Sequence, residues 1–217
     1  MKVDLHVHTC YSGDSLTSLS ETIRWTQRRS LDALAITDHN TIAGALALTK
    51  IAPFAVIVGE EILTTRGEII GLFLRRQIPA GLSPRETARR IHSQGGIVYL
   101  PHPMDRVRHS ALALDSLLEI SEVIDAVEVL NARVTFRADN RRAARFARNH
   151  GILAGAGSDS HQGYEIGHAY VEMPTSHDPR SFLQSLAEGQ IRGRISSPLV
   201  HLASSYAKLA KGLAARQ

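Results

Sequence analysis

Val3-Asp4-Leu5-His6-Val7-His8 opens the chain with a short β-rich run that carries two histidines, and the rest of the reading grows from it. Side chains two apart in a strand share a side. His6 and His8 can therefore converge on one point, with Leu5 and Val7 turned outward. Asp4 shares the histidines' side and is placed to orient a ring from behind. Later apolar runs end in similar fashion. Residues 33–37 lead into Thr37-Asp38-His39-Asn40, and residues 55–62 contain Gly59-Glu60-Glu61-Ile62. Residues 97–100 stop at Pro101-His102-Pro103, residues 126–130 at Asn131, and residues 152–156 run into Gly157-Ser158-Asp159-Ser160-His161.

Helical patterns separate these strands. Residues 16–29 read as a helix capped by Ser15 or Thr17, and residues 42–49 as one capped from Asn40 or Thr41. Residues 84–94 form a third, with Ser83 as cap, Pro84 in its first turn and Gly95-Gly96 as its stop. Helices over 112–123, 135–149 and 179–187 follow, with further strands over 68–74 and 169–173. From Gly189 on the chain is basic, less patterned and expected on the outside. The alternation predicts a parallel sheet. An open doubly wound sheet and a closed barrel both satisfy it. No glycine-rich dinucleotide loop follows the first strand, whereas ligand residues follow strand after strand. Barrels gather their chemistry at the carboxyl ends of strands, which favours a barrel. No linker or repeat divides the chain, so residues 1–217 are expected as a single domain with a basic segment from about 189.

Composition narrows the setting. Of the 217 residues, 43% are hydrophobic and 21% charged, which excludes a disordered or collagen-like chain. One cysteine, Cys10, excludes a disulfide framework and points to a reducing interior. No apolar run approaches the ~20 residues of a membrane helix, and Met1 to His8 holds no apolar export core; a cytoplasmic protein without membrane attachment is expected. The net charge of +4 favours anionic partners. Only Lys2, Lys50, Lys208 and Lys211 are lysines. The remaining basic residues are arginines, the better bidentate phosphate ligands, although arginine bias also follows genome composition.

The 11 histidines are the unusual count. His6, His8, His39, His102 and His161 each stand at the end of an apolar run. Asp38 and His39 point to opposite sides of an extended strand, so one is a ligand and the other a support, and His39 is the favoured ligand. One of Glu60 and Glu61 faces the metals, bridging two of them, while the other stays in solvent. Asp14, alone in its loop, also reads as a turn residue. Asp159 and His161, two apart, share a side. His6, His8, Asp14, His39, one of Glu60 and Glu61, His102, Asn131, Asp159 and His161 are too many donors for one ion; mixed His, Asp and Glu ligands suit Mn, Zn or Fe, two or three ions in all.

Together and in this order, His6-Val7-His8, Thr37-Asp38-His39, Gly59-Glu60-Glu61-Ile62, Pro101-His102-Pro103 and Gly157-Ser158-Asp159-Ser160-His161 resemble the motifs of the polymerase and histidinol phosphatase (PHP) superfamily. The resemblance implies an α/β fold, a distorted (β/α)7 barrel with a trinuclear metal site at the C-terminal ends of the strands, and phosphoesterase activity. It implies His6, His8, Glu61 and Asp159 around one metal. Glu61 bridges to a second that His102 also holds, and Asp14, His39 and His161 hold a third. The family pattern selects Glu61 over Glu60. Asn131 stands where the family often has histidine or cysteine, and an amide oxygen is the weaker ligand.

Clustered divalent ions lower the pKa of a bound water and neutralise phosphoryl oxygens. The expected reaction is hydrolysis of a small phosphate ester, a phosphomonoester or nucleotide, by a metal-activated hydroxide. Cys10 lacks a supporting base and is not the expected nucleophile. Arg106, Arg108, Arg133 and Arg137 follow strand ends, and Arg106 and Arg133 are the favoured phosphate ligands. His168 is a weaker candidate for meeting the leaving group. His92, His109, His150, His177 and His201 carry no motif. An amidohydrolase with a carboxylated lysine is disfavoured, because no lysine lies near a mid-barrel strand end. A nuclease is the closer alternative, yet aromatic residues are few (5%). A non-catalytic metal-binding module is the other. A small phosphorylated substrate is expected ahead of nucleic acid.

Overall fold

The computed structural model describes residues 1–214, without the side chains of residues 201–203, 208 and 212–214; His201 and Lys208 fall among these and lie outside the described side chains. The elements run β1 (Lys2–Val7), α1 (Leu19–Arg28), β2 (Ala33–Ile36), α2 (Ala43–Thr49), β3 (Ala55–Thr64), β4 (Gly67–Leu72), α3 (Pro84–His92), β5 (Ile97–Leu100), α4 (Leu114–Glu119), β6 (Ala126–Asn131), α5 (Arg137–His150), β7 (Leu153–Gly157), β8 (Ala169–Glu172), α6 (Pro179–Ala187), β9 (Gln190–Gly193) and α7 (Val200–Ala214). Local signals explain many boundaries. Ser83 caps α3, with Pro84 at its start, as its sequence dictates. Gly151 ends α5 in the left-handed conformation, at φ 64°. The cap of α1 is Ser18 rather than Ser15 or Thr17. Ser18-Leu19-Ser20-Glu21 forms a capping box in which each side chain satisfies the other's backbone N–H.

The strands form one sheet in the order β7-β6-β5-β4-β3-β2-β1-β8-β9. β1, β2, β3, β5, β6 and β7 run parallel, and β4 lies antiparallel between β3 and β5 because β3 returns directly through a tight hairpin. The sheet then curls into a distorted barrel. The His8 amide donates to the Ser160 carbonyl (3.0 Å) and the Asp159 amide to the His6 carbonyl (2.7 Å), joining the end of β7 to the end of β1. At its other end β1 pairs with β8 instead. Closure therefore happens at the end where the histidines sit.

Three apolar clusters follow from this closure. Val3, Leu5, Ala33, Ala35, Ile70, Leu72 and Tyr99 belong to the first. The second groups residues of α3, α4 and α5 with one flank of the sheet, and the third groups α2 and the outer sides of β1 and β2. Leu5 and Asp4 differ from the expected alternation. Asp4 pairs with Leu34 and Val7 with Ile36, so β1 carries one extra residue, a bulge. The bulge separates Leu5, which stays with Val3 in the first cluster, from Val7 in the third, and takes Asp4 off the histidines' side. Asp4 instead accepts from the amides of Ser158 (2.8 Å) and Gly167 (2.9 Å), bracing the closure.

Candidate metal centre

The carboxyl ends of the parallel strands meet in a buried cluster of acids and imidazoles. Four overlapping groups have donor atoms within 4.8 Å of one another: His8, Asp14, His39 and His161; His6, His8 and Glu61; His6, His102 and Asp159; His39, Glu61 and Glu68. Eight of the nine expected ligands are thus brought together. Each group shares a residue with another, so the sites adjoin. Glu61 sits at the centre. Its Oε1 is 2.9 Å from His102 Nε2, and its Oε2 is 3.2–3.3 Å from His6, His8 and His39.

Period-two alternation sends Glu60 to the opposite face of β3. It is fully buried there rather than in solvent, accepts from the Ile78 amide (2.9 Å), and burial pushes its carboxyl up to about 7. Asp38 is a support, accepting from the amide and hydroxyl of Thr9. His102 and Asp159 both adopt positive φ, 29° and 53°. Non-glycine residues rarely do so, and such strain collects at functional sites.

Hydrogen bonding fixes which nitrogen each ring offers. The Asp159 carbonyl can only accept, so His161 Nδ1 donates to it (2.9 Å) and Nε2 turns a lone pair toward Asp14 Oδ2 at 3.1 Å. Burial and the neighbouring His8 hold His161 near pKa 3, so two acceptors face each other. A divalent cation between them would satisfy both acceptors. His6 Nδ1 faces the Glu128 carboxylate (3.2 Å), which leaves Nε2 among His8 Nε2 (3.1 Å) and Glu61 (3.3 Å). Among the described residues, Glu68 Oε2 and Asp159 Oδ1 are buried without a hydrogen-bond partner, though each lies within 4 Å of an imidazole nitrogen. Burial opposes ionisation of Asp159, but Arg108 and His6 outweigh it and hold the carboxyl well below its usual range. Burial likewise opposes charging of His8, yet Asp159 and Glu61 carry it to about 9. The donor set fits divalent ions.

Asn131 departs from its expected role. Its Nδ2 donates to Glu128 (2.9 Å) and Asp159 (3.1 Å), while Oδ1 accepts from the Arg133 amide (2.7 Å). Carboxylates only accept and an amide N–H only donates, so the amide oxygen faces away from the cluster while the Asn131 NH2 bridges two of its carboxylates. Arg106 also lies elsewhere. It pairs with Asp139 (2.8 Å) and lies over the Phe136 ring, half exposed. Arg108 stands in its place, donating to Asp159 with its other nitrogen 3.0 Å from His102.

Arg108 and Arg133 line a cavity of about 380 Å³ beside Asp14, His39, Glu68 and His161. Arg133 is buried and held by Glu165 (3.1 Å), the Val200 carbonyl (3.2 Å) and Ser204 (2.8 Å), its Nε without a hydrogen-bond partner among the described residues. Ser204 and Ser205 of α7 line the same cavity, and Lys211 ties α7 to the carbonyls of Cys10 and Ser12. The basic C-terminal segment thus roofs the site rather than lying apart from it. Three acids were missed by sequence reasoning: Glu68, Glu128 and Glu165. The available signal was a carboxylate inside an apolar run, which requires a partner when buried.

His168 lies outside the cavity. Its Nδ1 meets Ser196 (2.7 Å), and burial, Arg194 and Arg29 lower its pKa to about 4. A histidine depressed from 6.5 is neutral in the fold and charges more readily when unfolded. Its stabilising share is present above pH 6.5 and lost as pH falls toward 4. His168→Gln should therefore show a smaller drop in Tm between pH 6.5 and 4 than the wild type; parallel curves would contradict this assignment.

Comparison with known proteins agrees with the geometry. Residues 4–70 match the PHP domain model, and residues 137–191 match a PHP-associated model. An uncharacterised protein of Methanocaldococcus jannaschii, MJ0417, is 39% identical over 196 residues, covering 86% of this chain and 79% of that one. The chain belongs to the PHP family. A second M. jannaschii protein, MJ1587, also uncharacterised, is 41% identical over 145 residues, covering 61% of this PHP chain and 82% of its own. The fold is shared with a two-domain Bacteroides vulgatus protein described as containing a predicted PHP-like metal-dependent phosphoesterase. Its TM-score is 0.71 at 15% identity, over 95% of this chain and 69% of that one. The expected α/β barrel is therefore the fold observed. Among the described residues, no helix is long and apolar enough to cross a membrane.

Proposed function

We infer that this PHP protein hydrolyses a small phosphate ester with two or three divalent ions, of Mn, Zn or Fe. The observation that carries this reading is the sharing of His6, His8, His39 and Glu61 between adjacent donor groups, which calls for neighbouring ions. Divalent ions held there supply a hydroxide near neutral pH and neutralise phosphoryl oxygens. The ligands are His6, His8, Asp14, His39, Glu61, His102, Asp159 and His161, with Glu68 added by its place beside His39 and Glu61. Glu128 holds the His6 ring by its Nδ1, as outer partners of ligand histidines do. Arg108 and Arg133 offer guanidinium groups to the phosphate from the cavity wall, Glu165 keeping Arg133 in position. A cavity of about 380 Å³ suits a small substrate.

The test is a chelated preparation, then re-addition of Mn, Zn, Fe or Mg, assayed on p-nitrophenyl phosphate and its bis ester. Chelation should abolish turnover and one of the ions restore it. Activity that survives thorough metal removal would overturn the reading. Cys10 is exposed and lines neither the cavity nor the cluster, so Cys10→Ser should keep most activity. A phosphoenzyme trapped on Cys10 would contradict it.

A further inference from the structure

We propose that α5 and the end of β9 form a docking surface for the phosphodiester backbone of a single-stranded nucleic acid, separate from the metal centre. Helix α5 buries Asp139, Asn140, Ala143, Phe146 and Ala147. Arg137, Arg141, Arg145 and Arg148, at successive spacings of four, four and three, then form one exposed stripe. At 1.5 Å per residue the row is about 16 Å long, with guanidinium groups at steps of about 6 Å. At its head, Arg137 and Arg141 meet Arg194 around a groove of about 320 Å³ floored by Leu130 and Ile195. Gly193 sets this approach. Its φ is 140°, and a Cβ there would lie 2.3 Å from the His168 carbonyl, so β9 can press against β8 and deliver Arg194 to the groove.

Arg75, Arg76, Arg142 and Arg180 also lack an ion pair among the described residues, but only the stripe sets four such arginines in a row, and most other arginines are paired. Arg24 pairs with Glu21, Arg85 with Glu122, Arg89 and Arg90 with Glu86, and Arg192 with Glu172. Among the described residues, none of the side chains of Arg137, Arg141, Arg145 and Arg148 has a hydrogen-bond or ion-pair partner. The helix's one acid, Asp139, is buried and taken by Arg106. Genome composition accounts for arginine in place of lysine, but not for four unpaired arginines aligned along one face of one helix. Like charges four apart weaken a helix, and a polyanion laid along the row removes that repulsion. A straight row meets successive phosphates of an extended strand. The half-exposed Phe136 ring at its head and the apolar groove floor give unpaired bases a surface, which a duplex does not use.

The probe is a fluorescently labelled oligothymidylate of about 20 nucleotides, titrated by anisotropy with chelator present at about 50 and 200 mM salt. The wild type should bind, and Arg137→Glu/Arg141→Glu should bind at least tenfold more weakly. The double variant's slope of log K against log salt should be shallower by about 1.4, two contacts at ~0.7 each. Arg75→Glu/Arg76→Glu makes the same change in net charge on another exposed surface and should bind like the wild type, as should His8→Ala, which removes a proposed metal ligand. Unchanged Tm confirms that the first double variant folds. No binding at the lower salt, equal loss in Arg75→Glu/Arg76→Glu, or equal affinity for a duplex or for tripolyphosphate would overturn the proposal. Failure of phosphoester hydrolysis would leave this result untouched, since binding is read without metal.

Discussion

Glu61→Gln is expected to lose on the order of 10³-fold or more of phosphoester hydrolysis, because even outer-shell partners of metal ligands cost about 10–100-fold. Both Glu61 oxygens are engaged, one toward His102 and the other toward His6, His8 and His39. Glutamine keeps the shape but has one oxygen and no charge, so it cannot serve both sides. Elemental analysis should show fewer ions per chain than in the wild type. His177 is exposed and belongs to none of the donor groups, and His177→Ala should leave metal content and rate unchanged. An unaltered metal count in Glu61→Gln would count against its shared role.

Gly157→Ala is expected to be the most damaging single-methyl change near the site. A Cβ on Gly157 would lie 2.3 Å from the His6 Cβ, 2.6 Å from Glu128 Oε1 and 2.9 Å from the His6 amide. Two of these atoms belong to or directly adjoin backbone and cannot swing aside. The barrel must open between β1 and β7, or His6 must leave Glu128. Overpacking of this kind costs about 1–3 kcal/mol or more. For a chain of this size that corresponds to a Tm lower by roughly 2–12 °C, together with loss of metal as His6 moves. Gly13 supplies the control: no atom lies within 4 Å of its added Cβ, and Gly13→Ala should unfold near the wild-type temperature. A Gly157→Ala protein with wild-type Tm and metal content would refute the close-approach argument.

Much of the donor cluster was legible because its acids and imidazoles sit where strands stop. A histidine or acid closing an apolar run is visible in one dimension, and His6-Val7-His8 also states its geometry through period two. The cap and stop of α3 were legible for the same reason, being local chemistry. Glu68 and Glu128 were not, since each is one acid in a strand and nothing local says which face is the crowded one. The choice of Arg108 over Arg106 depended on Asp139, 33 residues further on, drawing Arg106 away. Asn131 kept its residue type as a clue, but its amide orientation is dictated by Glu128, Asp159 and the Arg133 backbone acting together.

By itself, then, the sequence determined the strand-end donors, their order and the helices between them, because periodicity, caps and residue chemistry act over a few positions. Only the tertiary structure decided how those donors are grouped. The bulge in β1 separates Leu5 from Val7 and Asp4 from the histidines, the hairpin of β3 and β4 brings Glu68 beside His39, and α7 folds back to hold Arg133. Each of these depends on closing a barrel, in which groups far apart in the chain must share one buried volume and satisfy one another's charges.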